Sequence, residues 1–402
     1  MTGSPLAARS DFPALADGSV VYLDNAATTQ KPRAVIDAIS GFHARGCANV
    51  GRGVHAWAER TSAAHEAARV KIARYVGAGS NELVFTSGTT EALNLVAQGR
   101  ARPRLKPGDR IPSTLLAHHA NFLPWQQLVR QCGARLELLV MDATGNLDLD
   151  DAAARLDGAV LLAVCARSNV LGVRPPLERL ITIARNAGVC TVVDAAQAVA
   201  HERLAFSELG CDFMAFSGHK MLGPMGIGAL LGRTNRLEEI EPQRLGGGMV
   251  AELGALTEGP PRWRELPARL EGGTPNVAGA IGLAAAVDYL DGLGRERIAD
   301  HEAALIEQLA AGLDAIGAAR IGPSTGGASL VSFTLPPHHP HDVAQILDEH
   351  GVAVRAGMHC AQPLHRHLGL SATIRASVAP YNGTDDIEAL LAGLRRVRAV
   401  LG

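Results

Sequence analysis

Aromatic residues are scarce. Three Trp, four Tyr and eight Phe make up 4% of 402 residues, beside 44 glycines. That balance argues against a β-sandwich and for α/β layers packed with alanine and glycine. Cysteine is sparse as well: Cys47, Cys132, Cys165, Cys190, Cys211 and Cys360 are scattered, with no Cys-x-x-Cys pair. A chain of this length with that pattern reads as reduced and cytoplasmic rather than as a disulfide scaffold. Neither sign of charge dominates, since 38 Lys and Arg face 40 Asp and Glu for a net charge of −2. A strongly basic nucleic-acid or membrane surface is thereby excluded. The uncharged stretch 272–287 is interrupted by Pro275, Asn276 and glycines, whereas a spanning helix needs about 20 mostly apolar residues. The first residues, MTGSPLAARSDFP, have no basic start followed by an apolar block, so no signal peptide is expected.

What is present has the composition of a folded protein: 47% apolar and 19% charged residues. The length suggests two or three domains. From about residue 80, short apolar runs alternate with helical patterns. Strands are predicted at 82–86, 138–141, 159–164, 189–193 and 213–216, and helices at 89–100 and 176–187. This alternation predicts an α/β fold with a mostly parallel sheet flanked by helices on both faces. Its site should lie at the carboxyl ends of the strands. After about residue 286 the pattern becomes α+β. Helices at 277–292 and 295–316 precede strands at 331–335, 352–355 and 371–378, with helices at 341–350 and 384–400. The expected organisation is a segment 1–20 packing on the small unit, a large unit 21–285 and a small unit 286–402 that carries Cys360.

The residues that point to chemistry fall at the predicted strand ends. In SerGlyHisLysMetLeuGlyProMetGly (217–226), Lys220 follows an apolar strand and sits among glycines, well placed to bind an aldehyde cofactor covalently. Asp194 terminates the buried run 189–193. Pyridoxal 5'-phosphate (PLP) needs both a lysine for its aldehyde and an acid that keeps its ring nitrogen protonated. Gln197 is placed to bond the ring oxygen. ThrSerGlyThrThrGlu (86–91) is a strand end, a glycine turn and a helix start, so its N–H groups and the hydroxyls of Thr89 and Thr90 suit a phosphate. His118 and His119 follow a further apolar run and offer an imidazole to stack on the ring.

A second cluster is ArgAlaGlyMetHisCysAlaGlnPro (355–363). Cys360 lies beside His359 and near Arg355, and cationic neighbours favour the thiolate. A zinc site from His359, Cys360, His365 and His367 lacks the second cysteine of structural sites, so no metal is expected. HisHisProHis (338–341) reads as a helix entry. Arg375, on a predicted strand, is placed to fork onto a substrate carboxylate.

Taken in order, these segments resemble the group II (SufS/CsdA-type) cysteine desulfurases, in the class V branch of PLP fold type I enzymes. The resemblance runs from about Tyr22 to the C-terminus. It is carried by TyrLeuAspAsnAlaAlaThrThrGln (22–30), HisHisAlaAsn (118–121), SerAsnValLeuGly (168–172), ValAspAlaAlaGlnAlaVal (193–199), SerGlyHisLys (217–220), GlyGlyThrProAsn (272–276) and the 355–363 segment. It implies that Lys220 carries PLP, that Asp194 pairs with the pyridine nitrogen and Gln197 with the phenolic oxygen, and that His118 stacks on the ring. Thr89, Thr90, Ser217 and His219 would hold the phosphate, with Thr274 reaching over from the second subunit of a homodimer. Asn169 and Arg375 would take the substrate carboxylate, with Arg355 and His55 as further substrate contacts. Cys360 would be the sulfur-accepting nucleophile.

The reaction so implied is L-cysteine to L-alanine, with sulfur left as a persulfide on Cys360 and passed to an acceptor protein, as in iron–sulfur cluster assembly or another sulfur-requiring biosynthesis. Selenocysteine lyase, cysteine sulfinate desulfinase, a specialised C–S lyase and an inactive sulfur-transfer scaffold are the alternatives. The chain departs from the family pattern at Ser87, Ala117, Ala166 and Arg167. The stretch 246–271, expected as a hairpin towards the partner subunit, holds an unusual GluGlyProProArgTrpArg (258–264).

Overall fold

An N-terminal strand, β1 (Val21–Tyr22), precedes a central sheet of seven strands. These are β2 (Leu83–Thr86), β3 (Arg110–Ser113), β4 (Arg135–Leu138), β5 (Leu161–Cys165), β6 (Cys190–Asp194), β7 (Phe213–Ser217) and β8 (Gly228–Gly232). The computed structural model describes residues 3–402 apart from 52, 255–258, 260 and 324–328. The sheet order is β2-β8-β7-β6-β5-β3-β4, and only β8 runs against its neighbours. Strands β5 to β8 are buried along their whole length, as expected of a sheet covered on both faces. The carboxyl ends of β2, β5, β6 and β7 therefore open on one edge of the sheet.

One strand differs from its expected place. The apolar run 138–141 is not the strand; β4 is Arg135–Leu138. This strand pairs only with β3 and stays partly exposed, so an alternating polar and apolar pattern suits it better than a continuous run. Leu139 and Met141 are buried after the strand has ended.

The helix Val277–Leu293 packs on Arg33–Ala44 and Ala56–Tyr75. The chain then turns by 76° at Gly294, whose φ is +84°, into Arg295–Ala315. No single helix among the described residues is long and apolar enough to cross a membrane. Strands β9 (Val250–Glu252) and β10 (Arg262–Trp263) pair antiparallel within the expected hairpin. Residues 255–258 and 260 of that hairpin lie outside the described residues.

A second, antiparallel sheet follows, made of β11 (Ala319–Ile321), β12 (Leu330–Thr334), β14 (Arg355–Gly357) and β15 (Thr373–Ser377), in the order β11-β12-β15-β14. The expected single strand 352–355 is in fact two. β13 (Val352–Ala353) pairs parallel with β1, whereas β14 pairs with β15. This split ties the N-terminal segment to the second sheet and sets Arg355 opposite Arg375 and Gly357 opposite Thr373. Phe333, Ile374, Leu390 and Leu394 are fully buried in the core beneath this sheet. Burying each such side chain contributes roughly 1.5–3 kcal/mol, so Ile374 anchors the strand that presents Thr373 and Arg375. His339 caps the helix Pro340–Glu349 and Pro340 takes its first turn.

Candidate active site

The strand ends frame a cavity of about 310 Å³. After β2, Gly88 turns the chain at φ +153° into the helix Thr89–Val96. A Cβ on Gly88 would stand 3.1 Å from Ser217 Oγ. That closeness serves a contact: Ser217 Oγ accepts the Thr89 N–H at 2.8 Å and lies 2.7 Å from Thr89 Oγ1. Thr89 and Thr90 thus bring a helix N-terminus, with its positive dipole end, to the cavity wall.

Asp194 ends β6 and is buried. Its Oδ1 accepts the Ala196 N–H at 3.0 Å, and among the described residues no other hydrogen bond reaches the carboxylate. Burial raises its pKa, against the pull of that N–H and of Lys220. Lys220 lies in a short 3₁₀ turn after β7. Burial lowers its amine to about 8, with Asp194 acting the other way. Such an amine becomes neutral and nucleophilic more readily than an ordinary lysine. His118 caps the turn His119–Asn121, and its Nδ1 accepts the Ala120 N–H at 3.0 Å, which leaves the proton of the neutral ring on Nε2. Burial, then Lys220, pushes His118 down to about 4, and His219 falls to about 4 for the same two reasons. Gln197 donates from Nε2 to Ala26 O at 2.8 Å.

The segment 22–30 braces both sides of the cavity. His219 O accepts from Thr29 N at 3.0 Å, Thr28 Oγ1 at 3.1 Å and Lys31 Nζ at 3.3 Å, which holds the lysine turn in place. Asp24 takes Arg355 on two prongs, with Nε at 3.0 Å and Nη2 at 2.7 Å, and also Arg375 Nη2 at 3.4 Å. Arg375 is buried and donates from Nη1 to Asn169 O at 2.9 Å, while its Nε has no partner among the described residues. Burial lowers its pKa to about 10, opposed by Asp24. Residues 22–30 are among those that resemble the family, but nothing in the sequence distinguishes Asp24; its pairing with arginines more than 300 residues away has no local signal.

Cys360 lies between β14 and the helix Gln362–His367. His359 and Cys360 are both left-handed, at φ +50° and +54°. Such conformations cost non-glycine residues of order 1–3 kcal/mol each. Asn169 Nδ2 donates to His359 O at 2.7 Å and His119 N–H to Cys360 O at 2.8 Å, and these bonds offset the strain. Cys360 is exposed and lines the same cavity as Lys220, Arg355 and Arg375. The expectation of a cationic His359 is corrected: burial, then Arg375, pushes it down to about 2, so the ring is neutral. Positive charge beside Cys360 comes from the arginines.

The cavity thus brings together Thr89, Thr90, His118, Asn169, Asp194, Gln197, Ser217, His219, Lys220, Arg355, Cys360 and Arg375. It does not include His55, which is exposed and caps the helix Ala56–Tyr75. Nor does it include Thr274, which is exposed, 3.4 Å from Asn49 Nδ2. A second sulfur, that of Cys165 at the end of β5, belongs to a residue of the cavity wall that the sequence did not distinguish. Burial, then Asp194, pushes its thiol upward, so it stays protonated. At the departures, Ser87 N–H donates to Glu91 Oε2 at 2.6 Å, and Arg244 pairs with the same carboxylate, so a cation reaches that corner from another element. Arg167 is buried in the wall, bonded to Gly172 O at 3.1 Å and to Glu202 Oε1 at 3.0 Å.

Pyridoxal phosphate fits these groups. A buried carboxylate with a single hydrogen bond matches a ring N–H donor, a neutral imidazole offers a flat face, and the helix N-terminus suits a phosphate. Comparison with known proteins agrees. The aminotransferase class-V family pattern matches residues 21–390. A probable cysteine desulfurase of Halalkalibacterium halodurans is 43% identical over 95% of this chain and 94% of its own length. The apo structure of a cysteine desulfurase from Thermococcus onnurineus superposes with a TM-score of 0.93 at 40% identity, covering 97% of each chain. The Escherichia coli cysteine desulfurase CsdA, in an S-sulfonic acid form, gives a TM-score of 0.88 at 40% identity over 98% of each chain.

The fold and site are those of a PLP fold type I enzyme, and the chain belongs to the class V aminotransferase family. Within that family it groups with the cysteine desulfurases, and its cofactor is PLP.

Proposed function

We propose that the chain converts L-cysteine to L-alanine and keeps the released sulfur as a persulfide on Cys360. The observation that carries this reading is that Lys220, Asp194, Arg375 and Cys360 line one cavity. Bound PLP supplies an aldehyde carbon that takes up an amine and a protonated ring that draws electrons from the adjacent carbon. Asp194 would accept the ring N–H and hold that proton in place, and neutral His118 would offer its face to the ring. Thr89, Thr90, Ser217 and His219 would hold the phosphate. Arg375, kept in register by Asp24, forks onto the substrate carboxylate. Lys220, with its lowered pKa, takes the proton from the substrate α-carbon.

Cys360 sulfur then attacks the substrate sulfur. A sulfur–sulfur bond forms and the carbon–sulfur bond breaks. The electron pair stays with the carbon fragment, which takes up protons and leaves as alanine. One cysteine and one enzyme thiol thus give one alanine and one persulfide, with no outside oxidant. The unit 286–402 brings Cys360 to the large unit 21–285.

The working form is read as a homodimer. Thr274, outside its own cavity, would complete the partner's phosphate site. Trp57, Met225, Leu245 and Leu253 are large apolar residues left exposed, and Met225 directly precedes Gly226, whose carbonyl accepts from Asn276 Nδ2 at 2.9 Å. A sulfur-acceptor protein in the cytoplasm completes the reading. The test is mass spectrometry after cysteine is added without reductant. One extra sulfur atom on the peptide holding Cys360, matched by released alanine, supports it. Extra sulfur on another cysteine, or sulfide released with none on the enzyme, overturns it. Light scattering that finds an active, PLP-loaded monomer sinks the dimer.

A further inference from the structure

The hydrogen-bond directions around the Cys360 turn can be assigned one after another. His365 Nδ1 lies 3.1 Å from Ala361 O. A carbonyl only accepts, so this nitrogen carries a proton. Burial disfavours the charged ring in His365 and, more strongly, in His359, so each carries one proton. His365 Nε2 is then bare, and at 3.2 Å it takes the hydroxyl proton of Thr373. Thr373 Oγ1 in turn accepts, and its donor is His359 Nε2–H at 2.9 Å. His359 Nδ1 is left without a proton, buried and unpartnered among the described residues. Thr373 and His365 are fully buried and His359 is 7% exposed, so water does not compete for these bonds.

The relay connects three parts of one turn. Thr373 stands opposite Gly357, at the start of the loop. His365 lies in the helix that ends it. His359 is in the middle, directly before Cys360, with both residues left-handed. The main chain there is held by Asn169 and His119 through the two carbonyls. Among the described residues the ring is held by Thr373, through the hydroxyl of the relay and a contact with its backbone.

We infer that Thr373 and His365 are positioning residues for sulfur transfer: their one-directional relay fixes the ring of His359 and, through it, the turn that holds Cys360 at the cavity. Neither touches the reacting atoms. Unlike the strand-end groups, they set where the attacking sulfur stands, not how the cofactor is held. This rests on the proposed function only for the word transfer; the relay itself does not depend on it.

The first test is a neutron density map of the PLP-loaded protein. Deuterium is expected on His365 Nδ1 and His359 Nε2, with none on His359 Nδ1. Deuterium on His359 Nδ1, or on His365 Nε2, overturns the relay. The second test compares Thr373→Val, which keeps the shape and removes the hydroxyl, with Thr373→Ser, which keeps the hydroxyl. Thr373→Val should slow alanine release at saturating cysteine by roughly 10- to 100-fold, the scale of a displaced reacting group, with KM nearly unchanged. It should also change the rate at which iodoacetamide alkylates Cys360, and Thr373→Ser should restore both. Undiminished release in Thr373→Val, or a Thr373→Ser as slow as Thr373→Val, overturns the inference. If Thr373→Val does not fold, His365→Leu takes its place in the comparison and the neutron map still decides. A wild-type protein that releases no alanine from cysteine would defeat the proposed function while the map still tests the relay.

Discussion

The cofactor wall of the cavity is made from the ends of parallel strands, whereas the wall that carries Cys360 is a two-residue left-handed turn held by a few separate hydrogen bonds. On the first side, Asp194 and Ser217 are the last residues of β6 and β7, and Lys220 follows within one turn. Their positions follow from the register of a buried sheet. On the second side, Cys360 is kept in place by His119, Asn169, Thr373 and His365, which come from four separate segments. A sheet has many bonds in parallel and tolerates the loss of one. A strained turn with a few bonds does not. The cofactor wall should therefore fail only when a reacting group is removed, and the sulfur wall also when a supporting group is removed.

The largest effect should come from Lys220→Ala. Losing the group proposed to bind the cofactor aldehyde and move the α-proton should lower alanine release by about 10⁴-fold, the upper end for acid–base catalysis. The PLP-free variant should melt with the PLP-free wild type, because the sheet does not rest on the lysine. Release within tenfold of wild type would show that another base serves this wall.

Cys360→Ser separates the two walls. It should retain PLP, since no group of the cofactor wall is touched, yet release alanine only at the background rate, because a serine hydroxyl attacks sulfur poorly. Cys165→Ser, in the same cavity but with its thiol held protonated, should stay near wild type. Equal losses in the two variants would erase the distinction between them.

Asp24→Asn is a milder test of the sulfur and substrate side. It removes the charge shared by Arg355 and Arg375. A hydrogen bond to a charged group contributes about 1.5–3 kcal/mol, so KM for cysteine should rise by about tenfold or more with a smaller change in kcat. A change confined to kcat would mean that Asp24 orients something other than the carboxylate fork.

The smallest effect is in stability against pH. His118 and His219 titrate near 4 in the fold against an ordinary 6.5. Between those values the unfolded chain binds more protons than the folded one, so their contribution is whole above about pH 6.5 and is lost as pH falls towards 4. His359, at about 2, extends the loss further down. Melting temperature measured from pH 7 to 4.5 should fall, and His118→Asn should flatten the slope. A melting temperature that rises on acidification would contradict the assignment.

Much of the cofactor wall is legible in the sequence because each of its parts is local. An apolar run ending in Asp194, a glycine-rich turn around Lys220 and a strand–glycine–helix start at 86–91 announce themselves within ten residues. Strand edges were less legible: the apolar run 138–141 outweighed the alternating Arg135–Leu138, because pattern alone does not tell a sheet edge from its centre. The continuous run 352–355 hid a change of partner from β1 to β15. Cys360 stood out through its neighbours, but those neighbours suggested a charged His359 that burial makes neutral.

By itself, then, the sequence determined the alternation of strands and helices, and with it the edge on which a cofactor site must open, because a side chain's place along a buried strand follows from its neighbours in the chain. Only the tertiary structure decided that Asp24 holds two arginines, that Cys165 shares the cavity with Cys360, and that Thr373 stands between two histidines. These depend on residues from 8 to 351 positions apart meeting in a water-poor interior, where hydrogen-bond partners and proton positions are set by what is packed nearby, not by what immediately precedes or follows in the chain.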